Sequence, residues 1–360
     1  MNDNDQKMRI TFLSPHINIS GGVKIILGYA HGLSKKGHEV TVICPQPTFA
    51  KIRITRIPAV LPKRFLMNLV KHKPVWIDVD ADVKYVPSYD EKYIPDADIV
   101  VASAWQTAEY VHSYSLKKGQ KFYLFQHYER LWKDGCDDVD TFSFRLPLRK
   151  IVISSCLRDF FKKQCDEEAI LILDPVDLGE FFPTRRKYND KKRICMLYQP
   201  YPWKGVEDGI KAYEIARKAH PEIHLIMFGP RENSRFNRFE YHHNPTNYEL
   251  REIYNSCDIF LCPSWREGFG LPSAEAMACK CALVTTDNGG SRDYALHRKT
   301  ALVSPPKDPE RLAKNLLRLI EDEELLKTVA ENGYEHIKQF TWERAVDKME
   351  KEFRKVIQKK

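Results

Sequence analysis

Two carboxylates eight residues apart, Glu267 and Glu275, bracket the segment richest in chemistry, EGFGLPSAE. The run Asp258–Cys262 (DIFLC) reads as a strand that delivers the chain to Pro263–Arg266 and then to this loop. Gly268 and Gly270, flanking Phe269, let backbone amides come close to a ligand. Leu271 and Pro272 lead into a helix, Pro272 suiting its first turn. Amides at a helix N-terminus attract anions. Glu267, in the loop, can reach ligand hydroxyls or a developing positive charge. Glu275, read as lying in the first helical turn, can accept two hydrogen bonds from a ribose diol. The competing reading is a capped helix with solvated glutamates.

Other loops carry weaker signals. Gly21-Gly22 falls between the strand Arg9–Leu13 and a helical stretch Val23–Lys36, where it can present amides to a diphosphate. It is not G-x-G-x-x-G, so no nicotinamide cofactor is implied. Lys204 opens a helix, a poor place for a cation on dipole grounds, and a bound anion would explain it. Phe228-Gly229 ends a strand, with Gly229 leaving room for a planar base. His127 follows the strand Lys121–Phe125, and Trp105 follows Ile99–Ala102. A lone histidine is usually structural, and Trp105 suits either core packing or stacking on a sugar face. Three D-x-D triplets, Asp78–Asp80, Asp96–Asp98 and Asp138–Asp140, match a metal-diphosphate pattern. Three copies in irregular segments read as chance, so no metal is expected.

These residues sit in two successive sets of alternating strands and helices, which predicts an α/β protein of two doubly wound, Rossmann-like domains. The 360 residues fit two domains at about 150 residues each. Strands are read at Arg9–Leu13, Glu39–Cys44, Ile99–Ala102, Lys121–Phe125 and Lys150–Ile153. A second set comprises Arg193–Tyr198, Ile223–Phe228, Asp258–Cys262, Cys281–Thr285 and Thr300–Val303. The polar patch Arg185–Lys192 reads as a linker, placing the domains at 1–183 and 184–342, with a charged amphipathic helix from about 343 to 360.

The segment E-G-F-G-L-P-x-x-E resembles the E-x7-E motif of retaining glycosyltransferase family 4, which has the GT-B fold. Glu275–Ala278 (EAMA), Val284–Tyr294 (VTTDNGGSRDY) and Thr300–Pro306 (TALVSPP) extend the likeness. So do Gly21-Gly22 and the A-x-x-L-x-x-x-G-H-E-V run from Ala30 to Val40. The resemblance covers nearly the whole chain. It implies two domains facing across a cleft, with the C-terminal helix packing back on the first. It implies a nucleotide-sugar donor, a saccharide or lipid-linked acceptor, and retention of configuration. Glu267, His127 and Lys204 are then the catalytic candidates. Gly21, Gly22, Phe228, Gly229, Gly268, Phe269, Gly270, Leu271 and Glu275 bind the donor, and Trp105 meets the acceptor. No cofactor or metal is required. One departure stands out: the arginine usual six residues before the phosphate-binding lysine is Tyr198 here, leaving Arg231 or Arg292 as possible substitutes.

The formal charge of +8 suits anionic ligands or an anionic membrane surface without singling out nucleic acid. The segment Lys51–Lys73 carries seven Lys or Arg and no acid. It reads either as a solvated face or as a peripheral membrane contact. Nine scattered cysteines and a polar start, MNDNDQK, point to a cytoplasmic protein, peripheral at most. A nucleotide-sugar epimerase of the same fold and a catalytically silent nucleotide-sugar-binding subunit are the competing functions.

Overall fold

A computed structural model of the chain describes residues 6–18, 20–45, 79–128, 143–184, 188–231 and 238–358. The chain forms two compact units. The first comprises Met1–Ile153, Phe161–Ile172 and Trp342–Lys360, the second Ser154–Phe160 and Leu173–Thr341. Two contacts tie the segment after 172 to the second unit, ahead of the 183/184 boundary read from the sequence. The Val176 amide donates to the Phe340 carbonyl at 2.8 Å, and the Thr184 amide to Asn255 Oδ1 at 2.8 Å.

In chain order the first unit contains β1 (Arg9–Leu13), α1 (Gly21–Lys35), β2 (Glu39–Pro45), β3 (Asp82–Val86), β4 (Ile99–Ala102), α2 (Trp105–Ser113), β5 (Gln120–Phe125) and β6 (Arg149–Val152). It continues through α3 (Ser155–Cys165), whose first residues belong to the second unit, to β7 (Ile170–Leu171). The second unit contains β8 (Arg193–Leu197), α4 (Val206–Ala219), β9 (His224–Gly229), β10 (Glu240–His243), α5 (Asn247–Ser256) and β11 (Ile259–Cys262). It ends with α6 (Leu271–Ala278), β12 (Ala282–Thr286), β13 (Ala301–Ser304), α7 (Pro309–Glu321) and α8 (Glu323–Ile337). The last helix, α9 (Trp342–Ile357), belongs to the first unit.

Both sheets are parallel throughout, in the orders β3-β2-β1-β4-β5-β6-β7 and β10-β9-β8-β11-β12-β13. Every residue of β4, β11 and β12 is buried, as parallel strands covered by helices on both faces require. Local signals agree with these boundaries. Thr246 and Glu249 make a reciprocal capping box on α5, and Asp308 caps α7 ahead of Pro309.

Helix α9 packs on α1. The Trp342 ring fills the notch left by Gly28 and meets Tyr29 edge-on at 5.6 Å, while Phe353 meets Phe122 at 4.8 Å. Beside this contact Glu350 accepts from Lys36 Nζ at 2.6 Å and from Arg354 Nε at 2.9 Å. His38 Nδ1 accepts from the Met8 amide at 3.2 Å, so its Nε2–H points at Glu350, 3.2 Å away. Burial alone would raise the Glu350 carboxyl; bonds from Lys36, Arg354 and His38 outweigh it and hold the pKa at about 2. The folded carboxyl therefore binds its proton less tightly than the unfolded one. Its contribution is complete above about pH 4.5 and is lost as the pH falls towards 2. Allowing for partial solvent access, Glu350→Gln should cost about 2 kcal/mol at neutral pH and flatten the acid limb of a urea-unfolding profile. An unchanged acid limb would refute this role.

Candidate functional site

In sheet order β8 lies beside β11, and the connections from these two strands leave in opposite directions. Open α/β sheets bind ligands at the carboxyl ends of such strands. The two loops there are 198–205 and 263–270. They are sewn together: the Trp265 amide donates to the Trp203 carbonyl at 2.6 Å, and its indole Nε1–H to Asp208 Oδ2 at 2.7 Å. Lys307 sits 4.4 Å above the Trp265 ring. Gly205, with φ +60°, allows this closeness, because a Cβ there would collide with the Pro263 carbonyl.

The seam brings Lys204 to Glu267. The ammonium Nζ lies 2.8 Å and 2.9 Å from the two carboxylate oxygens, and the side chains are only 13% and 10% exposed. Residues 63 positions apart in sequence thus form a largely buried ion pair. The Glu267 amide donates to the Asn288 carbonyl at 3.0 Å. Asn288 is itself locked: Oδ1 accepts from the Ser291 amide at 3.0 Å and Nδ2 donates to Thr285 Oγ1 at 3.3 Å. The Tyr294 hydroxyl lies 2.9 Å and 3.0 Å from the Phe269 and Gly270 carbonyls, clamping the turn into α6. Sequence reasoning missed Asn288 and Tyr294, although both lie in a segment it singled out.

Several expected residues take up different positions. Glu275 is the fifth residue of α6, so it lies in the second turn rather than the first, and is buried. Pro272 does fall in the first turn and carries no amide hydrogen, while the Ser273 and Ala274 amides donate to the Gly270 carbonyl at 3.0 Å and 3.3 Å. The Phe269 side chain packs in the core against Tyr294 and Phe340, leaving its backbone to the loop. Phe228 likewise packs against Tyr254 and Phe260. The absent side chain at Gly229 does not make room for a base: a Cβ would collide with the Tyr198 carbonyl and approach the Tyr241 hydroxyl at 2.9 Å. Tyr198 is buried in the same core, 6.3 Å from the Tyr241 ring. Arg292 grips Asp287 through two bonds of 2.6 Å and 2.9 Å, so it is committed to that carboxylate. Arg231 is exposed, its carbonyl accepting from Tyr241 at 2.5 Å.

The first unit repeats the architecture at β1 and β4. Ser103 Oγ donates to the Leu13 carbonyl at 2.6 Å, and Tyr89 to the Ser14 carbonyl at 2.5 Å. Gly21 and Gly22 are the first residues of α1, beginning earlier than the Val23 start read from sequence, with Ser20 as cap. The Gln126 carboxamide lies 3.4 Å from where a Gly22 Cβ would stand, placing a polar group the sequence reading passed over against this turn. His127 Nδ1 is 3.1 Å from the Tyr128 carbonyl. Trp105 is the first residue of α2 and half-buried. Asp96 binds Lys118 at 2.8 Å and Asp98 binds the Arg9 amide and guanidinium, which accounts for that D-x-D structurally.

Residues 179–336 match the family described as glycosyl transferases group 1. The matched stretch lies within the second unit. The chain is similar to the capsular polysaccharide biosynthesis glycosyltransferase CapM of Staphylococcus aureus, 26% identical over 358 residues, covering 91% of this chain and 93% of CapM. It is also similar to an uncharacterized glycosyltransferase of Methanocaldococcus jannaschii, 27% identical over 194 residues, covering 50% of this chain. That match spans about half, 49%, of the archaeal protein's length. The solved structure of Anabaena HepE in complex with UDP and glucose shares the fold. It overlays with a TM-score of 0.72 at 16% identity, covering 96% of this chain and 98% of that one. The chain therefore has the GT-B fold, with two Rossmann-like units.

The basic segment Lys51–Lys73, the triplet Asp138–Asp140 and Asp78 fall outside the described residues. No described helix is long and apolar enough to cross a membrane. The eight cysteines among the described residues are free thiols, six of them buried.

One buried group remains outside this site. Asp174 is 2% exposed, and its Oδ1 has no hydrogen-bond partner among the described residues. Burial pushes its pKa well above the ordinary value, so the folded state holds this proton more tightly than the unfolded state. The resulting penalty is absent below about pH 3.8 and grows as pH rises. Asp174→Asn should stabilise the protein by about 1–3 kcal/mol at neutral pH and leave acid stability unchanged. Equal melting temperatures at pH 7.5 (roughly neutral) would refute the expectation.

Proposed function

We propose that this glycosyltransferase moves a sugar from a nucleoside-diphosphate donor to a saccharide or lipid-linked acceptor in cell-surface glycan synthesis, with retention at the anomeric carbon. The observation that carries the proposal is the Lys204–Glu267 pair at the carboxyl ends of β8 and β11, where a donor would lie. In this reading Lys204, the positive end of α6 near Pro272 and the amides of Gly21-Gly22 stabilise the departing diphosphate. Glu267 and His127 hold the sugar hydroxyls, Glu275 takes the ribose diol, and Trp105 meets the acceptor. The bond from the anomeric carbon to the phosphate oxygen breaks, a bond to the acceptor oxygen forms, and the acceptor's proton passes to the leaving phosphate. No metal is assigned a role. The name of CapM supports a place in polysaccharide synthesis, and the UDP and glucose bound by HepE support a nucleotide-sugar donor.

Burial of Tyr198 where the family places an arginine favours one second reading, a nucleotide-sugar-binding subunit without turnover. A thermal-shift screen across nucleotide-sugars, followed by a nucleotide-release assay with saccharide acceptors, separates the two. Stabilisation with release supports transfer, and stabilisation without release for any acceptor supports the silent subunit. A screen with no stabilising nucleotide-sugar would overturn both.

A further inference from the structure

The amino end of the first unit's sheet carries a cavity of about 920 Å³. It lies at the starts of β5 and β6, opposite the strand ends that lead to Gly21-Gly22 and His127. Its other walls are the turn before β6, the residues leading into β7 and the last turns of α9. A volume of this order holds a small organic ligand. Charge in the wall is unequal, with five cations against three carboxylates. Each carboxylate already has a cation. Glu167 binds the buried Lys150 at 2.8 Å and 2.9 Å, Glu352 binds Lys355 at 2.6 Å, and Glu168 binds Lys162 at 3.1 Å. Lys150 also donates to the Leu146 carbonyl at 2.6 Å, which holds the turn that carries Arg145. Among the described residues Arg145 and Arg149 have no carboxylate partner, and Lys121 donates to the His112 carbonyl at 2.6 Å rather than to an acid. Burial lowers the pKa of Lys121, and the attraction of Glu91 does not overcome it. Cations left without counter-charges gather anions from solution, and guanidinium groups match the fork geometry of phosphate.

We infer that this cavity is a second ligand site, which takes a phosphate-bearing molecule through Arg145, Arg149 and Lys121. It is distinct from the site at the carboxyl ends of β8 and β11, which belongs to the second unit, and it does not rest on the donor reading. The phosphate belongs to a soluble molecule or to a lipid headgroup, and both present the same anion to the same cations. A ligand there joins the start of β6 to the end of α9, so occupancy should raise the melting temperature.

Cys165 supplies a local reporter. Its thiol is partly exposed, and Arg145 and Lys150 lie close enough for their charges to act on it. The rate of Cys165 alkylation by iodoacetamide, located by peptide mass spectrometry, is followed against inorganic pyrophosphate at constant ionic strength. An anion beside Arg145 opposes the thiolate, so saturation should slow alkylation by about threefold or more. Arg145→Gln/Arg149→Gln should need at least about tenfold more pyrophosphate for the same protection. A Lys163→Gln/Lys348→Gln control removes two exposed cations outside the cavity and should respond as wild type does. Circular dichroism confirms folding, and Arg149→Gln alone serves if the double variant does not fold. Sedimentation with phosphatidylcholine vesicles, with and without phosphatidic acid, separates the sources. Cosedimentation that needs both phosphatidic acid and the arginines assigns a lipid headgroup; protection by pyrophosphate without it assigns a soluble phosphate. Absence of both effects overturns the inference, as does protection that the arginine variant retains undiminished.

Discussion

A Lys204→Met variant is expected to lose turnover by about 100- to 1000-fold, the usual effect of removing one preorganised charge from a developing anion. The loss should fall on nucleotide release at saturating donor, because the cation matters most when charge accumulates on the leaving phosphate. Stability should fall as well. Removing one member of a buried ion pair typically costs about 3–5 kcal/mol, and the slight exposure of Glu267 makes the lower figure the better expectation here. The two effects can be separated. Lys204→Met combined with Glu267→Gln removes both charges, so the melting temperature should recover towards wild type while turnover does not. A single variant with wild-type turnover would remove Lys204 from the chemistry.

Gly205→Ala should be the most damaging conservative change in the second unit. An L-residue at φ +60° costs about 1–2 kcal/mol on backbone grounds alone. The added methyl group also has nowhere to go, since it would overlap the Pro263 carbonyl. Together these predict a loss of about 3 kcal/mol or more, read as a melting shift of roughly 6–12 °C, with donor binding lost because Lys204 moves off its partner. Gly37→Ala is the control. Gly37 has φ +90° but nothing within 4 Å of its would-be Cβ, so only backbone strain applies. If the two substitutions prove equally mild, the close packing of the 198–205 loop on the 263–270 loop is refuted.

How much could be read beforehand depended on burial. The strands covered on both faces are plain as apolar runs, whereas the order of strands in each sheet is set by tertiary packing. The strands that escaped notice, β3, β7 and β10, include the half-exposed outer strands and so lack such runs. Helix α8 was missed too: its apolar residues Leu326, Val329, Ala330 and Ile337 sit among charges that dilute the pattern. Of the candidate site, the loops were legible and their pairing was not. Glycines and carboxylates marked both segments, yet nothing local says that Lys204 and Glu267 share a bond, because that follows from the adjacency of β8 and β11. The reason for Gly229 was misread for the same cause. A glycine beside a candidate base site reads as room for ligand, whereas tertiary contacts show the room filled by Tyr198.

The return of α9 to the first unit sets an order of events during synthesis. The ribosome makes the sheet of the first unit early, but the helix that covers α1 and brings Glu350 to Lys36 and His38 emerges some three hundred residues later. The stretch Leu173–Thr341, nearly all of the second unit, is complete before that. Domains generally fold as units, N-terminal first. Here the half begun first must be finished last, and until then the groove of Gly28 and Gly32 that Trp342 and Val346 fill stands open on the nascent chain.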